Sequence, residues 1–66
     1  MKKRMIINNY DQDQVVLNDV RNWEFIDGPD GIPLFLQVMY GNNQEYNIAF
    51  GMIYSYEISE YNDDTE

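Results

Sequence analysis

The stretch that decides the fold is LFLQVMYGNNQEYNIAF, residues 34–50. On both sides of its central Gly-Asn-Asn-Gln, apolar and polar side chains alternate with a period of two, which is typical of strands that bury one face. A two-residue Asn-Asn turn would place Val38 opposite Asn47, whereas an odd loop keeps the two apolar faces together. We therefore expect a hairpin with a loop of three or five residues and the pairs Tyr40–Tyr46, Val38–Ile48 and Leu36–Phe50.

The same alternation extends to both sides of this hairpin. A preceding strand carries Trp23 and Phe25 and ends at Asp27, and a following strand carries Tyr54, Tyr56 and Ile58. The turn-forming run Gly28–Gly31 predicts a four-residue loop that pairs Phe25 with Leu34 and Trp23 with Leu36. Residues 20–58 therefore predict a four-stranded antiparallel meander, whose core face carries Trp23, Phe25, Leu34, Leu36, Val38, Ile48, Phe50 and Ile58.

The opposite face of this meander is too apolar to be left in water, because it carries Val20, Ile26, Phe35 and Met39. Three arrangements could cover it: the N-terminal segment folded back, with short strands at residues 4–8 and 15–17; curling of the sheet into an SH3-like or partly open barrel; or a second copy of the chain. The sequence thus predicts an all-β domain of four to six antiparallel strands over residues 1–59, a disordered acidic tail over residues 60–66, and a homodimer or higher homo-oligomer.

The composition excludes most catalytic chemistry. The chain has 66 residues, enough for one small domain, and contains neither cysteine nor histidine. Nucleophile pairs that need His or Cys, thiolate or imidazole zinc sites and glycine-rich phosphate loops are all missing. The carboxylate pairs Asp11/Asp13 and Asp27/Asp30 lack the spacing of a calcium loop and indicate turn chemistry. We expect no enzyme activity, no cofactor and no metal.

The charge distribution indicates the class of partner. Four basic and twelve acidic residues give a net charge of −8, and residues 22–66 carry nine acids and no base. Such a surface repels phosphate, so we expect no direct nucleic-acid binding; it favours a basic protein surface, including that of a nucleic-acid-binding protein. The alternative is that the charge serves solubility alone. The N-terminal apolar run is too short for a signal peptide and no stretch could span a membrane, which predicts a cytoplasmic protein.

Six tyrosines, three phenylalanines and one tryptophan provide aromatic contact area. The candidates for a recognition patch among them are Tyr10, Tyr54, Tyr56 and Tyr61. Acids and exposed aromatics are contiguous only near the C-terminus, so the predicted binding residues are Tyr56, Glu57, Glu60, Tyr61, Asp63 and Asp64. In size and charge the chain is similar to small acidic inhibitors made by phages and mobile elements, and its richness in Asn, Ile and Tyr suits an AT-rich genome. We therefore expect a non-catalytic protein that inhibits or regulates a partner through an acidic, tyrosine-bearing surface. The alternative is an oligomer that sequesters a small ligand or nucleotide between subunits.

Overall fold

The computed structural model describes residues 1–62, and these residues confirm the all-β prediction with six strands. The strands are β1 Lys2–Asn9, β2 Gln14–Asn18, β3 Val20–Asp27, β4 Pro33–Tyr40, β5 Gln44–Ala49 and β6 Ile53–Tyr61, and a 3-10 turn at Phe50–Met52 separates the last two. They form two antiparallel sheets of three strands, ordered β2-β1-β6 and β3-β4-β5, which we call the terminal sheet and the meander sheet. The two sheets do not close into a barrel in the described part of the chain.

The fourth strand of the predicted meander belongs to the other sheet, so that part of the prediction is wrong. After the 3-10 turn, β6 pairs with β1, where Ile58 lies opposite Met5 and Tyr56 lies opposite Ile7. The two short N-terminal candidates are β1 and β2, and together with β6 they fold back over the core face of the meander sheet. This pairing buries Met5 and Ile7 completely, which β6 could not do as an extension of the meander.

Both hairpins of the meander sheet differ in register from the prediction by two residues. The β4–β5 loop is the odd, three-residue loop 41–43, but Val38 lies opposite Tyr46 and Leu36 lies opposite Ile48, so the Tyr40–Tyr46 pair is wrong. In β3, Phe25 lies opposite Leu36 instead of Leu34. A slip by an even number keeps side chains on their predicted faces, because successive strand residues alternate. Val20 is the exception: a register shift between Val20 and Asn22 places it opposite Tyr40 and in the core, so its prediction on the opposite face is wrong.

The core lies between the two sheets. Its buried residues come from both of them: Met5, Ile7, Leu17, Val20, Leu36, Val38 and Ile48. Trp23, Phe25 and Ile58 pack against this cluster, as the core-face prediction required. Leu34 in β4 and Phe50 in the 3-10 turn, however, are 53% and 41% exposed, so their prediction as core residues is wrong. No helix of the described residues is long and apolar enough to cross a membrane.

Candidate functional site

The predicted binding residues lie in a regular strand that divides them between two faces. β6 continues through Tyr61, two residues past the predicted domain boundary at residue 59. Tyr56 and Glu60 lie on the same face of the terminal sheet as Met5 and Ile7, whereas Glu57 and Tyr61 lie on the other. Asp63 and Asp64 lie outside the described residues. Residues 56–61 therefore do not form one continuous acidic and aromatic surface.

Two of these tyrosines have contacts within the fold. The Tyr61 hydroxyl accepts a hydrogen bond of 3.1 Å from the backbone N–H of Asp19, and the Arg4 guanidinium lies 4.3 Å from the centre of the Tyr61 ring. The Tyr56 ring packs edge-on against Phe25, with 5.8 Å between ring centres. Tyr61 thus fixes the corner between β2 and β3, and Tyr56 joins the two sheets.

The four basic side chains gather near this corner and contact groups of the chain itself. Asp19 accepts two hydrogen bonds from Arg21, at 2.9 and 3.1 Å, and lies 4.0 Å from the Lys2 ammonium. Arg4 Nε donates to Asn18 Oδ1 at 2.7 Å, and the Lys3 ammonium lies 5.7 Å from the centre of the Trp23 ring.

These contacts also shift the pKa values of Asp19 and Arg21. The hydrogen bond from Arg21 lowers the pKa of Asp19, with smaller contributions from the charges of Arg21 and Lys2 against an opposing desolvation. The pKa of Arg21 is raised by the same hydrogen bond and by the charge of Asp19. We call the cluster of Lys2, Lys3, Arg4 and Arg21 with Asp19 the basic corner. Acceptor oxygens and aromatic rings beside these cations partly neutralise their charge.

At the opposite end of β1, the β1–β2 loop forms one wall of a surface pocket of about 420 Å³. We call this the hairpin pocket, and it is lined by Asn8, Asn9, Tyr10, Gln12, Asp13 and Tyr54. The loop is tight: Gln12 N–H donates to the Asn9 carbonyl, Asn9 N–H donates to the Asp13 carbonyl, and Gln12 adopts a left-handed φ of 73°. A turn followed by a left-handed residue is a common way to close a short hairpin loop.

A β-bulge supplies the other wall of the pocket. Asn8 pairs with Ser55 and Asn9 with Ile53, so Tyr54 is the extra residue in β6, and such bulges redirect a side chain. The Tyr10 N–H donates to the Met52 carbonyl at 2.9 Å, which ties the loop to the start of β6. The rings of Tyr10 and Tyr54 meet edge to face, 5.4 Å apart at 83°, and both side chains are about two-thirds exposed.

Acceptor oxygens complete the lining. The buried Oδ1 of Asn9 has no hydrogen-bond partner, and the Asp13 carboxylate has neither an ion pair nor a hydrogen bond, within residues 1–62. The side-chain amide of Asn8, in contrast, makes two hydrogen bonds: its Nδ2 donates to the Ser55 hydroxyl, and its Oδ1 accepts from Gln14 Nε2. Asp11 Oδ1 accepts from the Asp13 N–H, which confirms the expected turn chemistry, as does the bond from the Ile32 N–H to Asp30 Oδ1. The pocket therefore combines two aromatic rings with an unpaired carboxylate, that of Asp13.

Sequence reasoning identified the components of this pocket separately but did not bring them together. The sequence indicates Tyr10 and Tyr54 as candidates for a recognition patch, and it predicts that Asp11 and Asp13 lie in a turn. Their proximity depends on the antiparallel pairing of β1 with β6, which joins residues 44 or more positions apart and leaves no local pattern in the sequence. A scan of the chain against protein-family models, characterised proteins and solved structures finds no match.

Proposed function

We propose that this protein is a non-catalytic binding protein that inhibits or regulates a partner with a basic surface, and that the hairpin pocket and its acids make the contact. The proposal keeps the acidic, tyrosine-bearing surface expected from the sequence and moves its centre from β6 to the β1–β2 loop.

The observation that carries the proposal is the separation of charge along β1. Lys2, Lys3 and Arg4 lie at one end of this strand, and Asp11 and Asp13 follow its other end. An eight-residue strand spans roughly 25 Å, more than two screening lengths at physiological salt. A basic partner is therefore attracted to the hairpin end with little opposition from the basic corner, and finds there two tyrosines of the kind common in interface hot spots.

The proposal includes a cytoplasmic location and a role like that of the small acidic inhibitors of phages and mobile elements. The role rests on size, charge and composition. A small anionic ligand or nucleotide is the weaker alternative, because a net charge of −8 repels it.

Affinity capture tests the proposal with two matched double variants. Asp11→Asn/Asp13→Asn removes two charges beside the pocket, and Asp27→Asn/Asp30→Asn removes one charge at the end of β3 and one in the β3–β4 loop. Asparagine at positions 11 and 30 can still accept the turn hydrogen bonds. We expect wild type and the 27/30 variant to capture the same basic protein at low salt, and the 11/13 variant to lose most of it. Equal recovery by all three proteins, or equal recovery at low and high salt, would contradict charge-driven binding.

We also propose that the outer face of the meander sheet joins two copies of the chain. Ile26, Phe35 and Met39 lie on this face, away from the core, and remain half-buried, while only seven core residues are buried among residues 1–62. Small domains of this kind commonly gain stability from association. Light scattering should give a dimeric mass for wild type and a monomeric mass for Phe35→Asp. A monomeric wild type at micromolar concentration would contradict the dimer.

A further inference from the structure

We infer that the hairpin pocket receives the guanidinium group of an arginine side chain of the partner. The inference rests on the proposed function, since it names the group by which a basic partner is recognised. Three features of the described residues support it: the aromatic walls, the unpaired carboxylate of Asp13, and an arginine that the fold itself holds against a tyrosine ring and an acceptor oxygen.

The aromatic walls suit a flat cation. Tyr10 and Tyr54 stand at 83° to each other, so the face of one ring and the edge of the other meet at an angle open to solvent. A guanidinium plane can stack on a tyrosine face and is attracted by its ring electrons. The pocket volume of about 420 Å³ lies within the range of small-ligand sites and exceeds what one side-chain head group requires.

The polar lining offers what an arginine needs and a phosphate does not. Guanidinium has five N–H donors in a rigid fork and no acceptor, so it requires several acceptors in one place. The Asp13 carboxylate lines the pocket, offers two acceptor oxygens and has neither an ion pair nor a hydrogen bond among the described residues. None of the lining residues is basic, which disfavours an anionic ligand. A lysine ammonium is compact and more strongly hydrated, and it gains less from the ring faces.

In the basic corner, a tyrosine ring and an acceptor oxygen already bind an arginine of this chain. There Arg4 lies over the Tyr61 ring at 4.3 Å and donates from Nε to Asn18 Oδ1 at 2.7 Å. The hairpin pocket likewise presents tyrosine rings beside an oxygen acceptor, here the Asp13 carboxylate, but it holds no arginine of this chain. An arginine from a partner therefore meets there the same two kinds of group, an aromatic ring and an acceptor oxygen, that bind Arg4 within the fold.

NMR titration of the full chain tests the inference with a defined probe, Nα-acetyl-arginine N-methylamide, and its lysine counterpart. We expect the arginine compound to cause saturable shifts of the backbone amides of Asn9, Tyr10, Gln12, Asp13 and Tyr54. Asp13→Asn and Tyr54→Ala should each weaken its binding by about tenfold, the size expected for losing one charge-assisted or cation–π contact. Two control variants should bind the arginine compound like wild type. Tyr54→Phe keeps the aromatic ring, and Asp30→Asn removes the same charge as Asp13→Asn at a site outside the pocket.

Three results would overturn the inference: no saturable shift, equal binding of the lysine compound, or shifts spread over acids remote from the pocket. The variants also separate this inference from the proposed function. If Asp13→Asn and Tyr54→Ala still capture the basic partner in a salt-sensitive way, the arginine pocket is wrong while the charge-driven binding stands. If wild type captures no basic partner and the arginine compound still saturates the pocket, the proposed function is wrong.

Discussion

At the residue scale, Asp19 makes hydrogen bonds to three separate parts of the fold: Tyr61 in β6, Gly41 in the β4–β5 loop and Arg21 in β3. Asp19 lies between β2 and β3, where the chain passes from one sheet to the other, and it has a left-handed φ of 56°. Its N–H donates to the Tyr61 hydroxyl, and its carbonyl accepts from the Gly41 N–H. Its carboxylate accepts from Arg21. An aspartate in this conformation is sterically acceptable, because Asp and Asn adopt the left-handed region more readily than other side chains.

Asp19→Asn should remove the ion pair while keeping the backbone of the corner. Because the folded pKa of Asp19 lies below its ordinary value of 3.8, its charge stabilises the fold above that pH and the contribution is lost as the pH falls through the folded pKa. The difference in unfolding free energy between wild type and Asp19→Asn should therefore be largest near neutral pH and shrink in acid. Urea unfolding over a pH series measures it, and a difference independent of pH would contradict the role of the charge.

At the scale of the elements, β4 shows what a strand pattern can and cannot tell. Its alternation correctly predicts which side chains share a face, because that depends only on the period of two. It does not predict how far along the strand the opposing sheet reaches. Leu34 and Leu36 lie on the same face, yet Leu36 is fully buried and Leu34 is 53% exposed.

These two leucines give a matched pair of variants. Leu36→Ala removes a side chain enclosed by both sheets and should lower the unfolding free energy by about 2–5 kcal/mol. Leu34→Ala should cost less than about 1 kcal/mol, since most of its surface is in water already and the transfer term is correspondingly small. Chemical denaturation compares them directly, and equal losses would show that the terminal sheet covers both positions.

At the scale of the whole molecule, the local elements could be predicted and the long-range arrangement could not. Strand positions, the odd β4–β5 loop and the turn roles of Asp11 and Asp30 follow from short-range rules. The pairing of β6 with β1 does not, because it closes most of the chain on itself and competes with a continued meander that buries similar side chains. The candidate site inherits this limit, since Tyr54 reaches Tyr10 only through that pairing.

The central claim, that a basic partner binds the hairpin end of the molecule, is tested most directly by mapping the contact of the captured protein. Amide chemical shifts of the labelled chain should be recorded with and without that partner. The account predicts that the largest changes fall in the β1–β2 loop and at the start of β6, including Tyr10, Asp13 and Tyr54, and that they decrease as salt is raised. Changes centred on Glu57 to Tyr61 or on the outer face of the meander sheet, with the hairpin pocket unaffected, would contradict it.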